Sequence, residues 1–279
     1  MVEVIEKGLY TSIQDLGRIG YRKYGVPISG AMDGESAKLS NLISVNEENS
    51  AVMEITLQGP KLRFLIPTRI SLTGADLSPK INNQNIPLNT SIYIQKGDIL
   101  AFGKRKFGVR CYLAVAGGFK TESILGSRSF YKGITSNSII GKGDLLPFNS
   151  CFRVGKLQSP KVNFSEINYV GKSIKVSKGP EFEMLHEEQQ RQLLTKSFTI
   201  GLNNRMAYQL KELIKNRLNS ILSSAVLPGT VQLTPSGKLM ILMRDCQTTG
   251  GYPRVLQLTE SAIDCLAQKM KGEILFWME

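Results

Sequence analysis

The sequence holds a single histidine and a single tryptophan in 279 residues, and four cysteines with no Cys-x-x-Cys pair. Each scarcity removes a class of chemistry. Every Ser-His-Asp or Cys-His mechanism would have to run through His186. That residue lies in Glu183-Met184-Leu185-His186-Glu187-Glu188, which reads as the solvated, charged face of a helix. Zinc sites built from His and Cys lack their ligand spacing. Cys111, Cys151, Cys246 and Cys265 are far apart and read as reduced thiols, not as a disulfide frame. No apolar run approaches the roughly 20 residues of a membrane span. The first residues, Val2-Glu3-Val4-Ile5-Glu6-Lys7, carry no apolar signal-peptide core. The expectation is a cytoplasmic chain with no membrane partner.

Acidic residues are also short, 23 against 35 Lys and Arg, a net charge of +12. The tight basic cluster, Lys104-Arg105-Lys106, has no aromatic stripe beside it, so no nucleic-acid partner is expected. The excess reads as a Lys-rich solvated surface suited to an acidic protein partner. Two further motifs fail. Gly171-Lys172-Ser173 ends like a P-loop, but Glu166 stands where the first glycine is required. Ala267-Gln268-Lys269-Met270 superficially resembles a biotin-accepting Lys-Met, yet it falls on a predicted helix.

What is present is polar and glycine-rich. The apolar run Leu239-Met240-Ile241-Leu242-Met243 predicts a buried strand that delivers Arg244-Asp245-Cys246-Gln247-Thr248-Thr249-Gly250-Gly251-Tyr252-Pro253-Arg254 to a surface. Gly250 and Gly251 there are read as positive-φ residues that let a ligand approach the backbone. After a strand over residues 2–6, the glycines and proline between Gly8 and Gly30 predict a long ordered loop. It contains Gln14-Asp15-Leu16-Gly17-Arg18 and leads to Ser29-Gly30-Ala31-Met32-Asp33. A helix over residues 33–45 follows, with Asp33 as N-cap and Ala37, Leu39, Leu42 and Ile43 as its apolar face. Its N-terminus is a place for an anion.

From Ala51 to Gly118 short strands alternate with turns at Gly59-Pro60, Gly74-Ala75-Asp76, Asn82-Asn83 and Gly97-Asp98, a barrel or sandwich pattern. An internal echo extends this pattern. Lys96-Gly97-Asp98-Ile99-Leu100-Ala101-Phe102 matches Lys271-Gly272-Glu273-Ile274-Leu275-Phe276-Trp277, and Gln58-Gly59-Pro60 matches Lys178-Gly179-Pro180. Two related β units split within residues 148–170 are expected, taken as 1–155 and 156–279. The second is expected to carry helices over 184–195 and 260–270. Any chemistry must then rest on Asp15, Arg18, Asp33, Arg205, Asp245, Gln247 and Tyr252, which lie in glycine-rich or turn-like polar stretches.

Six stretches in fixed order carry a family resemblance: Gln14 to Arg18, Val26 to Asp33, Gly74-Ala75-Asp76, Leu113 to Gly118, Asn204-Arg205-Met206 and Gln247 to Pro253. Together they closely resemble the KipA family, also called the C subunits of 5-oxoprolinase, allophanate hydrolase subunit 2 or biotin-dependent carboxyltransferase-like proteins. Ala207, where the family often has Gly, and Cys246, at a variable position, are modest departures. The resemblance implies a mainly β fold of two cyclophilin-like β-barrel units with a few short helices. It implies KipI-like and LamB/YcsF-like partner subunits, the other two components of 5-oxoprolinase. With them goes ATP-dependent hydrolysis of a small amide, 5-oxo-L-proline, to L-glutamate. Its alternatives are a urea carboxylase-like carboxyltransferase taking carboxylate from biotin, or a regulatory module antagonising a KipI-like kinase inhibitor.

Under the first reading Asp245, Asp33, Arg18 and Arg205 would be catalytic. Gln14, Asp15, Ser29, Gly30, Gln247, Thr248, Thr249, Gly250, Gly251 and Tyr252 would bind substrate, and no metal is expected.

Overall fold

The computed structural model describes residues 1–149 and 171–279, which form two compact units. The first takes in Met1–Arg18 and 29–149, the second Ile19–Ile28 and 171–279. The sequence pattern puts residues 19–28 with the first unit; the structure gives them to the second. The expected boundary at 155/156 and Cys151 lie outside the described residues.

The first unit contains β1 (Val2–Glu6), β2 (Tyr10–Gln14), α1 (Gly34–Ile43), β3 (Val52–Thr56), β4 (Lys61–Phe64), β5 (Thr68–Asp76), β6 (Lys80–Ile81), β7 (Gln84–Asn85), β8 (Ile92–Ile94), β9 (Ile99–Ala101), β10 (Phe107–Val115) and β11 (Leu145–Leu146). They build one sheet in the order β11-β1-β4-β9-β6-β7 and another in the order β2-β3-β10-β5-β8. Alternate residues of both sheets meet in one core: Val2, Val4, Leu62 and Phe64 from the first, Ile13, Ile55, Leu72 and Leu113 from the second. Each fully buried side chain of this kind contributes about 2 kcal/mol.

The predicted loop from Gly8 onward is in part a strand. Tyr10 to Gln14 pair in register with Thr56 to Val52, and after Gly8 the next glycine is Gly17, beyond the strand. The predicted turn at Gly74-Ala75-Asp76 instead lies inside β5. Gly74 takes φ 80°, and the ladder to β10 shifts register nearby, which marks an irregularity absorbed within the strand.

Helix α1 forms as predicted and is capped by Asp33, whose Oδ1 accepts the Ser36 N–H at 2.9 Å. Its buried face matches the predicted one at Ala37 and Ile43 but not at Leu42. Ser36, Ala37, Ser40, Asn41 and Ile43 are buried, whereas Leu42 is 52 % exposed. The sheet face beneath is polar, a cross-strand row of Ser12, Glu54, Tyr112 and Thr73. A small, hydroxyl-bearing helix face suits it. Thr73 Oγ1 donates to Ser36 O and Ser71 Oγ to Ser40 O, both at 2.6 Å.

The second unit contains β12 (Ser173–Lys178), α2 (Glu187–Thr195), β13 (Phe198–Asn203), β14 (Ala207–Leu213), β15 (Ser224–Ala225), β16 (Thr230–Leu233), β17 (Lys238–Leu242), β18 (Thr249–Gly250), β19 (Arg254–Leu258), α3 (Glu260–Ala267) and β20 (Ile274–Met278). Seven strands close a barrel in the order β12-β19-β16-β17-β14-β13-β20, and β15 pairs with β18 outside it. Helix α2 starts three residues later than predicted, after a 3-10 turn at Phe182–Met184, and exposed His186 is its N-cap. Helix α3 stops at Ala267, so Lys269 lies beyond it and is buried.

The internal echo is a repeated piece of backbone. In the first unit Gly97 N–H donates to Phe64 O and Phe64 N–H to Asp98 O, at 2.7 and 2.9 Å. In the second, Gly272 N–H donates to Ile200 O and Ile200 N–H to Glu273 O, at 2.8 and 2.9 Å. Gly97 and Gly272 share φ 93°, a left-handed value that glycine adopts without penalty. The fold is thus mainly β, with barrel-like sheets and, among the described residues, three short α-helices. No helix among the described residues is long and apolar enough to cross a membrane.

Candidate functional site

In the first unit the glycine-rich stretch is held by carboxylates that spend their hydrogen bonds on protein. Asp15 Oδ1 accepts from Gly17 N, Ser127 Oγ and Ser129 Oγ at 2.6 to 2.8 Å, and Oδ2 from Arg128 N at 2.6 Å. Arg18 is fully buried and donates to Ser129 O. Asp33 uses Oδ1 on Ser36 N and Oδ2 on Ser36 Oγ, so the N-terminus of α1 already carries its own anion.

Gly30 takes φ 87°, and a Cβ there would meet Gly17 N and Leu16 C at 3.0 Å and Asp15 O at 3.1 Å. Glycine is therefore required where the 15–17 and 29–33 segments cross. Ser29 beside it also takes a left-handed φ, 58°, which is costly for a residue with a side chain. Its Oγ is buried and, like Gln14 Oε1, has no hydrogen-bond partner among the described residues.

In the second unit the stretch after β17 is organised by arginines. Arg205 grips Asp245 at two points, Nε to Oδ2 at 2.8 Å and Nη2 to Oδ1 at 3.0 Å. The Asp245 N–H returns a bond to Arg205 O at 2.9 Å. Arg22 donates through Nη2 to Val226 O and to Thr248 O, fastening the loop from both sides. Arg254 closes the far end on Glu181, Nε to Oε2 at 2.8 Å and Nη2 to Oε1 at 2.6 Å, and thereby holds the Glu181 carboxyl below its ordinary value. Cys246 is fully buried inside this loop. Burial pushes its thiol up to about 11, against the opposing pull of Arg22.

Gly250 and Gly251 do not take positive φ. Gly250 is instead a strand residue of β18, and a Cβ on it would come within 2.5 Å of Gln232 Nε2. Its small size serves packing, not a left-handed turn. Gln247 Oε1 is buried with no hydrogen-bond partner among the described residues, while Thr249 and Tyr252 are exposed.

The family model of the carboxyltransferase domain, subdomain A and B, matches residues 24–277. The chain belongs to this family. Among its relatives, the 5-oxoprolinase C subunit of Escherichia coli (strain K12) is 30 % identical over 100 % of this chain and 91 % of its own length. The Haemophilus influenzae protein of the same name is 27 % identical over 99 % and 90 %. Urea amidolyase of Lachancea kluyveri is 40 % identical, over 53 % of this chain and 8 % of that protein. Among solved structures, TTHA0988 superposes with a TM-score of 0.89 at 26 % identity, over 100 % of this chain and 55 % of that one. The urea carboxylase of Kluyveromyces lactis gives 0.85 at 28 %, over 99 % and 27 %. The chain therefore spans about half the length of TTHA0988 and a smaller part of the yeast enzyme.

The described residues of this carboxyltransferase-family chain hold no group of three or more metal-ligating side chains. The structure brings Gln14, Asp15, Arg18, Ser29, Gly30 and Asp33 into the first unit, and Arg205, Asp245 and Gln247 to Tyr252 into the second. Sequence reasoning missed Arg22, although it lies between Gly20 and Gly25 in the stretch already singled out. It also missed Glu54, Arg110 and Tyr112, buried polar residues inside strands β3 and β10. Their type within an apolar run was the available signal, since buried charge persists only where it is paired.

Proposed function

We propose that this chain is the C-type component of an ATP-dependent 5-oxoprolinase, opening 5-oxo-L-proline to L-glutamate together with KipI-like and LamB/YcsF-like partner subunits. The observation that carries this reading is the breadth of similarity. The relatives named as 5-oxoprolinase C subunits match over about nine-tenths of their own length, whereas this chain spans 8 % of the urea amidolyase relative and 27 % of the Kluyveromyces lactis urea carboxylase.

Ring opening adds water to the lactam carbonyl, breaks the C–N bond and delivers a proton to the departing nitrogen. Substrate recognition calls for neutral donors and acceptors on the amide. Gln247 Oε1, buried in the same loop as Asp245 and with no hydrogen-bond partner among the described residues, is a group of that kind. For the water, Asp245 is the better placed carboxylate. Its two oxygens are fixed by Arg205 but keep further lone pairs, and its side chain is 13 % exposed. Asp245 orients the water and accepts its proton, with Arg205 fixing the geometry.

The residues do not fit a triphosphate. Arg18 is fully buried on Ser129 O, Arg205 is spent on Asp245, and Asp33 caps the N-terminus of α1. Nucleotide binding is accordingly assigned to a partner chain, and no step here runs through it.

The test is glutamate release from 5-oxoproline and ATP, by this chain alone and by the chain co-expressed with its partners. Release only in the complex, abolished by Asp245→Asn, is expected. A well-assembled complex that releases no glutamate overturns the reading and moves it to carboxyl transfer from biotin, with urea as the first acceptor to try.

A further inference from the structure

We propose that the outward face of α1, with the turn that follows it, is a docking groove for a short amphipathic helix of a partner protein, apolar on one side and flanked by lysine or arginine. The groove lies wholly within the first unit, and neither it nor its occupant is defined by 5-oxoproline.

The groove has a volume of about 490 Å³ and is lined by Glu35, Lys38, Leu39, Leu42, Asn46 and Glu48. Its apolar residues are the two leucines that the sequence pattern turned toward the core. The polar sheet beneath takes Ser36 and Ser40 instead, which leaves Leu42 half exposed and Leu39 partly so. Leu39 and Leu42 are three residues apart and therefore neighbours on the helix surface.

The end of the helix supplies a second, independent observation. Asn46 N–H donates to Asn41 O at 2.9 Å and Val45 N–H to Leu42 O at 3.1 Å, the paired bonds of a Schellman cap. With Ser44 as C-cap, the left-handed position of that motif falls on Val45, at φ 56°. Glycine is the usual residue there, and the conformation is an outlier for a β-branched side chain. Val45 is also 55 % exposed, so burial does not offset the strain. A valine unfavourable to the isolated chain on both counts is accounted for by an apolar contact made outside the chain.

Charge and shape select the occupant. Glu35, Glu48 and neighbouring Glu47 stand against a single lining ammonium, that of Lys38, which pairs with Glu48 at 2.6 Å. The rim is therefore acidic, on a chain of net charge +12. A second copy meeting this face across a two-fold axis would set acidic rim against acidic rim, whereas a basic segment is attracted. The lining runs from Glu35 to Leu42, about 10 Å along the helix axis. That length matches two turns of a second helix laid against the leucine ridge.

The experiment places a benzophenone photocrosslinker in place of Leu42 in the full chain, in cells that carry its natural partners. Irradiation is expected to join it to one segment of a different protein, read by peptide mass spectrometry. That segment should have net positive charge and apolar residues spaced three and four apart. Glu48→Lys should cut the yield about fivefold, and replacing the facing lysine or arginine of the segment by glutamate should restore it. Val45→Gly should lower the yield about twofold while raising the Tm of the isolated chain by about 2–4 °C. A variant more stable than wild type cannot lose the contact through misfolding. Crosslinking to a second copy of this chain, to an acidic segment or to no protein overturns the proposal, as does a yield that Glu48→Lys leaves unchanged.

Discussion

Arg205 and Asp245 are joined twice, by a two-point side-chain ion pair and by the Asp245 N–H bonded to Arg205 O. Their side chains are 8 % and 13 % exposed. Removing one partner of such a pair leaves a charge in a poorly solvated place, at a cost of about 3–5 kcal/mol. Asp245→Ala should therefore lower the unfolding free energy by about 3 kcal/mol, read by urea denaturation. Asp245→Asn should cost less stability and still abolish glutamate release. Full activity in Asp245→Asn would remove Asp245 from the chemistry.

Arg254 and Glu181 give a pH-dependent contribution. The guanidinium bonds hold the Glu181 carboxyl below its ordinary value of 4.5. A lowered folded-state value means stability that is fully present above the unfolded value and lost as pH falls through the folded one. The difference in urea midpoint between wild type and Arg254→Gln should be constant from pH 7 to pH 5. It should shrink towards pH 3. A difference that grows on acidification would contradict the assignment.

Thiol reactivity should follow burial. Cys246 is pushed up to about 11 and Cys111 is raised further, both by desolvation. Alkylation of the native chain at pH 8, read by peptide mass spectrometry, should label partly exposed Cys265 ahead of Cys111 and Cys246, which should stay unlabelled until denaturant is added.

Gly30→Ala combines a left-handed backbone with backbone atoms 3.0 Å from the new Cβ. The strain alone is about 1–2 kcal/mol, and the clash with Gly17 N and Leu16 C adds to it. A lower Tm is expected, with faster hydrogen exchange confined to the 15–17 and 29–33 segments.

Leu42→Gln tests the orientation of α1. Leu42 is half exposed, so the change should stay within about 0.5 kcal/mol. Ala37→Leu, which adds volume against Val52, Tyr112 and Ala114, should destabilise by about 1–3 kcal/mol.

The helix shows why part of the fold was legible and part was not. Asp33 and Thr259 as N-caps, the strand at Leu239 to Leu242 and the Gly97/Gly272 echo follow from local chemistry, and local chemistry is written in the sequence. Which face of α1 turns inward depends on the sheet it lands on. That sheet is polar at Glu54, Tyr112 and Thr73, so Ser36 and Ser40 go in and Leu42 goes out. The candidate site divides the same way. Gly30 and Asp15 are visible as a glycine-rich stretch. The partners that consume Asp15, Ser127 and Ser129, are more than 110 residues away, and no spacing rule connects them.

The allocation of Ile19–Ile28 to the second unit has a practical consequence for anyone who would cut or recombine this chain. Neither unit is a single uninterrupted stretch of codons. A contiguous fragment beginning after residue 170 would lack Arg22, and with it the donors to Val226 O and Thr248 O that hold the 245–254 loop. Exchange of halves between relatives would swap a loop without its fastener. Recombination that preserves the loop has to carry the ten residues Ile19–Ile28 along with it.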